Sequence, residues 1–208
     1  MSASAAPTVM ERLRAETADL HSSAEGKDFQ RRMVKGELTR DDYARWLGQM
    51  LLVHRALEAP LRALMGSPAF AALREEQLQE PYLLEDLDAL GQDPAAVTPL
   101  PATAALVASI ERAATETPLA LLGYHYVLEG SNNGNRYIVR QLAPALGLNG
   151  HGQRYLDPYG AEQPAKWAQF KRDMDAVGFA PADADVLVAA AREMFSGIGA
   201  ISEALGAS

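Results

Sequence analysis

The chain of 208 residues contains no cysteine. Disulfide bonds, thiolate metal sites and cysteine nucleophiles are therefore excluded. The sequence also has no apolar run of the roughly 20 residues that a membrane span needs, and its first residues lack the basic-then-apolar order of a secretion signal. We therefore expect a cytoplasmic protein that has no membrane partner, since a chain without cysteine suits a reducing compartment.

Positive charge is also scarce. The chain has 19 Lys and Arg residues against 27 Asp and Glu residues, which gives a formal net charge of -8. Nucleic-acid binding needs a basic face, so no nucleic-acid partner is expected. Six basic residues nevertheless lie within the first 35 positions: Arg12, Arg14, Lys27, Arg31, Arg32 and Lys35. They indicate either a solvated helix face or a docking surface for an acidic partner.

Apolar residues recur at helical spacing along almost the whole chain, and no convincing alternating strand pattern is present. The sequence therefore predicts an all-α fold, with one helical domain over residues 1–208 and disorder over 1–7. Thr8 with Glu11, and Thr39 with Asp42, are spaced as capping boxes that begin helices. The expected helices cover 8–24, 29–34, 39–65, 81–90, 102–116, 118–130, 134–147, 162–177 and 182–205.

One of the four histidines, His21, interrupts an apolar stripe near the start of the chain. Glu25 lies one helical turn further on, where its carboxylate can accept one imidazole proton and leave the other nitrogen free for a metal. Arg14 lies seven residues earlier, about 10 Å away along a continuous helix, which suits a cation that binds a ligand's carboxylate. From spacing alone, His21 is either such a ligand or a core histidine satisfied by Glu25.

Three segments resemble the haem oxygenase family. The most specific runs from Leu13 to Leu61, with the sequence LRAETADLHSSAEGKDFQRRMVKGELTRDDYARWLGQMLLVHRALEAPL; the others are YHYVLEGSNNGNRYIVRQL at 124–142 and AKWAQFKRDMDAV at 165–177. The resemblance implies a single helical domain that holds haem between a proximal and a distal helix. It also implies an enzyme that cleaves haem to biliverdin, ferrous iron and carbon monoxide, using O2 and an electron donor such as a ferredoxin or a flavoprotein reductase.

The resemblance also assigns roles to individual residues. His21 matches the proximal iron ligand, Glu25 its hydrogen-bonding partner, and Arg14 and Lys171 the basic residues at the haem propionates, with Arg172 as an alternative to Lys171. Gly130 and Gly134 match the glycines of the distal helix, which let the backbone approach the haem closely. Beside these glycines, the side chains of Ser131, Asn132, Asn133 and Asn135 can hold a water network, since each can donate and accept, and Ser131 and Asn135 are the candidate catalytic residues.

The distal segment departs from the family pattern at two of these positions. Well-known members have an aspartate at the position of Ser131 and a second glycine at the position of Asn135. Binding of haem therefore carries over more firmly than its turnover. A haem-binding protein that carries, stores or senses haem without oxidising it remains a second hypothesis.

A non-haem di-iron oxidase is a third hypothesis. His21 with Glu25, His54 with Glu58, and His125 with Glu129 are three pairs in which a histidine precedes a glutamate by one helical turn. The pair formed by His54 and Glu58 is equally compatible with a buried hydrogen bond. The aromatic residues Trp46, Trp167 and Phe195 are expected in the helix-packing core.

Overall fold

The computed structural model describes residues 6–207, and within that range the chain forms nine α-helices and no strand. The helices are α1 (Val9–Glu16), α2 (Ala18–Glu25), α3 (Asp28–Lys35), α4 (Arg40–Leu64), α5 (Glu80–Ala89), α6 (Pro101–Glu116), α7 (Ala120–Leu146), α8 (Gln163–Ala176) and α9 (Pro181–Gly206). The predicted all-α fold is confirmed. Of the seven residues expected to be disordered, 1–5 lie outside the described range, and residues 6 and 7 are exposed and have no regular secondary structure.

Both predicted capping boxes are present. The Thr8 hydroxyl accepts a hydrogen bond from the Glu11 backbone nitrogen at 3.2 Å, and the Glu11 carboxylate accepts one from the Thr8 nitrogen at 2.8 Å. Thr39 and Asp42 form the same reciprocal pair at the start of α4. Each box satisfies backbone donors that would otherwise lack a partner in the first turn of the helix.

The structure corrects the predicted helices in two places. The single helix expected over 8–24 is broken at Thr17, whose hydroxyl donates to the Leu13 carbonyl at 2.6 Å and competes with the helical backbone pattern. Conversely, the helices expected at 118–130 and 134–147 are one helix, α7. Its buried half, residues 120–129, packs into the core, which offsets the low helix propensity of Gly130 and Gly134.

The core lies between α4, α7 and α9. The tightest contact is at Gly123 of α7, where an added Cβ would lie 2.2 Å from the Leu187 carbonyl oxygen and 2.8 Å from the Ala190 Cβ of α9. Only glycine admits this close approach of two helix backbones. The packing places the second half of α7, with its glycines, at the edge of the core.

Buried hydrogen bonds hold the segment between α7 and α8 against α4 and α5. The Asp86 carboxylate accepts from the backbone nitrogens of Arg154 at 2.7 Å and Tyr155 at 2.8 Å. The Tyr155 hydroxyl lies 2.9 Å from His54 Nε2, and His54 Nδ1 lies 2.7 Å from the Glu58 carboxylate. With the proton on Nδ1, Tyr155 donates to His54, which donates to Glu58.

Candidate functional site

Helix α2, which carries His21, lies on the surface. None of its eight residues is buried, and it packs mainly against α9, where the His21 ring meets the edge of the Phe195 ring at a centroid distance of 5.4 Å. The His21 side chain is 55% exposed and that of Glu25 is 71% exposed. His21 is therefore not a core histidine.

The imidazole of His21 has one partner and one free nitrogen. Its Nδ1 lies 3.5 Å from a carboxylate oxygen of Glu25, whereas its Nε2 has no hydrogen-bond partner among residues 6–207. A carboxylate near Nδ1 favours the tautomer that has its proton there, which leaves the Nε2 lone pair available to a metal. The arrangement has the form of a metal-ligating histidine with its supporting carboxylate.

The junction between α1 and α2 lies near the first half of α7. Burial raises the pKa of the Tyr126 phenol, while the neighbouring Thr17 hydroxyl and the positive charge of Arg14 act in the opposite direction. Because the chain breaks at Thr17, Arg14 and His21 belong to different helices, and the expected separation along one helix axis does not apply. Arg14 is instead exposed and lies near Tyr126, the residue of α7 that precedes Gly130 by one helical turn.

The two glycines of α7 have different surroundings. An added Cβ at Gly130 would lie 3.2 Å from the Trp167 indole of α8, whereas one at Gly134 would have no atom within 4 Å beyond its own helix. Trp167 also stacks on Phe170 and lies 5.8 Å from Tyr126 between ring centroids. Lys171 places its ammonium 6.0 Å from the centre of the Trp167 ring. Trp167 therefore connects Lys171, Gly130 and the Tyr126 region.

Ser131 and Asn135 lie beside the glycines on α7. The Ser131 hydroxyl donates to the Leu128 carbonyl at 2.7 Å and accepts from the Asn135 side-chain amide at 3.4 Å. Ser131 is half-buried, and Asn135 is buried with 9% of its surface exposed. Neither side chain supplies a carboxylate, so Ser131 and Asn135 contribute only neutral polar groups to this part of α7.

Trp167 and Phe195 were predicted as core residues and are half-buried at the margin of the site. Both pack against the core, but Trp167 contacts Gly130, and Phe195 contacts His21. The sequence contained one signal for this placement, because Trp167 lies one helical turn before Lys171 and therefore on the same face of α8. Trp46, in contrast, is buried as predicted, with 5% of its surface exposed.

The three histidine–glutamate pairs do not converge. Glu58 accepts hydrogen bonds from His54 and from the backbone nitrogens of Gln79 and Glu80, so that pair is a buried structural contact. Burial lowers the pKa of His125 to about 4. Among residues 6–207, no group of three or more histidine, aspartate or glutamate side chains is arranged to hold a metal ion. This geometry does not match the di-iron hypothesis.

Most of the predicted basic surface is neutralised by ion pairs. Arg12 pairs with Glu16 and Asp185, and the other pairs are Lys27 with Glu203, Arg31 with Asp28, and Arg32 with Asp42. Of the six basic residues, Arg14 and Lys35 form no ion pair with a residue that the structure describes. In the same described range, no helix combines the length and the apolar character needed to cross a membrane.

The arrangement of the helices is the haem oxygenase fold. A heme oxygenase from Leptospira interrogans superposes with a TM-score of 0.88 at 24% identity, covering 95% of this chain and all of the other. Heme oxygenase-1 from the cyanobacterium Synechocystis, solved in complex with heme, gives 0.89 at 20% identity, with coverage of 97% and 93%. A Shewanella denitrificans domain of unknown function with the same fold gives 0.74, so the fold alone does not define an activity.

Sequence similarity defines the family of this chain more specifically than the fold does. The family model described as heme oxygenase matches residues 8–204, and the chain therefore belongs to the haem oxygenase family. Heme oxygenase 1 of Rattus norvegicus is 25% identical over 169 residues, covering 78% of this chain and 58% of the rat protein. Heme oxygenase 1 of Pongo abelii is 25% identical over 193 residues, covering 89% of this chain and 67% of that protein.

Proposed function

We propose that this protein binds haem through His21 and cleaves it oxidatively to biliverdin, ferrous iron and carbon monoxide. The observation that carries the proposal is the exposed imidazole of His21, which keeps Nε2 free while Glu25 lies near Nδ1. Imidazole nitrogen is a common axial ligand of haem iron. Family membership supports the same chemistry, as does the heme complex of the Synechocystis relative with the same fold.

The other groups of the site have the chemistry that haem requires. Trp167 and Phe195 are half-buried and offer aromatic surface to a flat apolar ring. Gly134 has open space where a side chain would stand, so a planar ligand can approach the α7 backbone closely. Arg14 and Lys171 are exposed cations that form no ion pair with a described residue, and they suit the two carboxylates of haem. The residues therefore fit the group.

Each residue has a definite part in the proposed mechanism. When bound, haem supplies both the iron that activates oxygen and the ring that is oxidised. Glu25 keeps the His21 proton on Nδ1 and directs Nε2 toward the ligand, while Arg14 and Lys171 orient the ligand through its carboxylates. The side chains of Ser131 and Asn135 orient water beside the glycines, since each can donate and accept. Electrons come from an external donor of the ferredoxin or flavoprotein reductase class.

Binding of haem without oxidation is a second candidate function. The Ser131 hydroxyl donates to the Leu128 carbonyl and carries no negative charge, so the position at which relatives have aspartate supplies no carboxylate here. Turnover under reducing conditions decides between the two functions.

A titration with hemin followed by reduction tests the proposed function directly. Because one free imidazole nitrogen faces outward on α2, we expect a saturable Soret band at a stoichiometry of one hemin per chain. Adding ascorbate or a reductase system in air should then replace the Soret band with a bilin band. A Soret band that persists under these conditions would favour binding without oxidation, and failure to bind hemin would contradict both functions.

Replacing Gly134 with leucine is expected to weaken hemin binding about tenfold, a loss of about 1.4 kcal/mol. The added side chain would occupy space that is open in this structure, so the hemin-free protein should not be destabilised. Its free energy of unfolding should rise by about 0.5–1 kcal/mol, because leucine is a better helix former than glycine. Hemin titration and urea unfolding provide the two measurements.

Arg140→Leu serves as the matched control, since it adds a leucine at another exposed position of α7. It should leave hemin affinity within about twofold of the original value. Equal weakening by both variants would show that the glycine face of α7 does not contact the ligand.

A further inference from the structure

Several buried polar atoms beside the middle of α7 have no hydrogen-bond partner among residues 6–207. They belong to α7 itself and to the segments that pack on it: Glu129 Oε1, Asn132 Oδ1, Gln163 Oε1 and both side-chain polar atoms of Gln79. Buried polar groups that lack a protein partner are usually satisfied by internal water. This side of α7 is therefore a polar layer, suited to hold internal water, rather than part of the apolar core.

The central group of this layer is the carboxyl group of Glu129, which is only 1% exposed. One of its oxygens accepts hydrogen bonds from the Tyr159 hydroxyl at 2.9 Å and from the Asn132 amide at 3.3 Å, and the other has no partner in the described part of the chain. Burial raises the pKa of Glu129 to about 7, and the nearby charge of Glu76 acts in the same direction. The carboxyl group can thus both hold and release a proton near neutral pH.

A cavity of about 590 Å³ connects Glu129 with the solvent. Its lining includes Tyr159 from the segment before α8, Lys166 from α8, and Glu76 from the turn before α5. Lys166 and Glu76 form an ion pair at the cavity with side chains that are 34% and 45% exposed. Arg74 and Glu162 are the other charged groups of the lining. A proton on Glu129 can therefore exchange with water that enters from this side.

Polar side chains continue around α7 from Glu129 to the glycines. Asn132 follows Glu129 by one turn, Asn135 follows Asn132 by one turn, and Ser131 lies one turn before Asn135 and next to Gly130. Asn132 donates to Glu129 at 3.3 Å, and Asn135 donates to Ser131 at 3.4 Å. No direct hydrogen bond joins Asn132 to Asn135. At this gap Asn132 Oδ1 has no partner among the described residues, and both asparagines are buried. Water bound there would complete the series.

We propose that Glu129 is the proton-transfer residue of the site and supplies protons to the glycine face of α7 through water held by Asn132, Asn135 and Ser131. The Glu129 carboxyl group loses its proton to this water and regains one from solvent through the cavity, so the cycle is balanced. The asparagine and serine side chains orient the water and do not carry the proton themselves. The role rests on the proposed function, and it supplies from position 129 the carboxylic acid that position 131 lacks.

The first test uses the complete chain without hemin. A pH titration followed by NMR of the side-chain amides should show the Asn132 and Asn135 signals shifting together, with an apparent pKa near 7. Glu129→Gln keeps the size of the side chain and should abolish both shifts, whereas Glu162→Gln, which changes a 74% exposed residue of the same cavity, should preserve them. Tyr159→Phe removes a hydrogen bond that lowers the Glu129 pKa, and should move the midpoint to higher pH.

Two results of the NMR titration would overturn the inference. One is an Asn135 signal that stays constant while the Asn132 signal titrates, since the polar series would then end at Asn132. The other is a titration that survives Glu129→Gln while Tyr159→Phe leaves its midpoint unchanged.

The second test uses the hemin-loaded protein. Glu129→Gln should keep hemin affinity within about twofold, slow reductant-driven bilin formation about 100-fold, and remove the pH dependence of the rate near neutrality. An unchanged rate and pH profile would overturn the role of Glu129 while leaving the proposed function intact. Failure of the original protein to bind hemin would instead contradict the proposed function and this role within it, whatever the NMR titration shows.

Discussion

His21→Ala is expected to abolish the saturable Soret band that hemin gives with the original protein. The reason is that His21 is the histidine whose exposed imidazole combines a free Nε2 with a carboxylate near Nδ1, so its loss removes the proposed iron ligand. We expect at least a 100-fold loss of hemin affinity, which corresponds to about 2.8 kcal/mol. The measurement is the same absorption titration, and addition of free imidazole to the variant should restore an axial ligand and part of the spectrum.

The free energy of unfolding should change by no more than about 0.5 kcal/mol in His21→Ala, because the side chain lies on the surface of α2. His151→Ala, which removes an exposed histidine of the segment between α7 and α8, is the matched control and should bind hemin normally. If His21→Ala retains the original spectrum and affinity, the ligand assignment is wrong.

Glu58→Ala is expected to lower the free energy of unfolding by about 3–5 kcal/mol. Glu58 is 1% exposed, and its carboxylate accepts hydrogen bonds from His54 and from the backbone nitrogens of Gln79 and Glu80. Its removal leaves these buried donors without a partner, which costs more than the loss of the contact alone. Urea unfolding at pH 7, followed by circular dichroism, measures the effect.

The same carboxylate makes the stability dependent on pH. Burial alone would raise the pKa of Glu58, but the hydrogen bonds from His54 and the two backbone nitrogens outweigh burial and hold the pKa below its ordinary value of 4.5. Because the folded-state pKa is lowered, this contribution to stability is complete above about pH 4.5 and is lost as the pH falls through the folded-state value. The difference between the original protein and Glu58→Ala should therefore shrink in acid.

Glu80→Ala provides the control for Glu58→Ala. It removes a partly exposed ion pair with Arg55, and such pairs contribute no more than about 1 kcal/mol. A Glu58→Ala variant no less stable than Glu80→Ala would show that the hydrogen bonds at Glu58 are replaced by water.

The sequence was sufficient to predict the fold where the signals were local. The capping boxes at Thr8 and Thr39 marked where helices begin, because such signals depend on a few neighbouring residues. The break at Thr17 was missed, since the apolar spacing continues through it and the side-chain bond to Leu13 leaves no trace in periodicity. The continuity of α7 was missed for the opposite reason, because packing against α9 overrides local propensity.

The candidate site was predictable in part. The motifs identified His21, Glu25 and the α7 glycines as a group, and their placement makes binding roles for them reasonable proposals. The position of Trp167 between Gly130 and Lys171 depends on how α8 crosses α7, which no pattern within one helix specifies. The burial of Glu129, which raises its pKa, likewise depends on the segments that pack over α7 and not on any pattern within that helix.

The absence of buried residues in α2 bears on how quickly a ligand leaves. Opening α2 exposes almost no apolar core, so this helix belongs to the low-stability end of the protein's local unfolding reactions. With His21 in its proposed role, we expect local opening of this eight-residue helix, rather than global unfolding, to set the residence time of the ligand. A ligand bound at His21 would in turn slow that opening, so the tightness of binding and the protection of α2 amides from hydrogen exchange should rise and fall together.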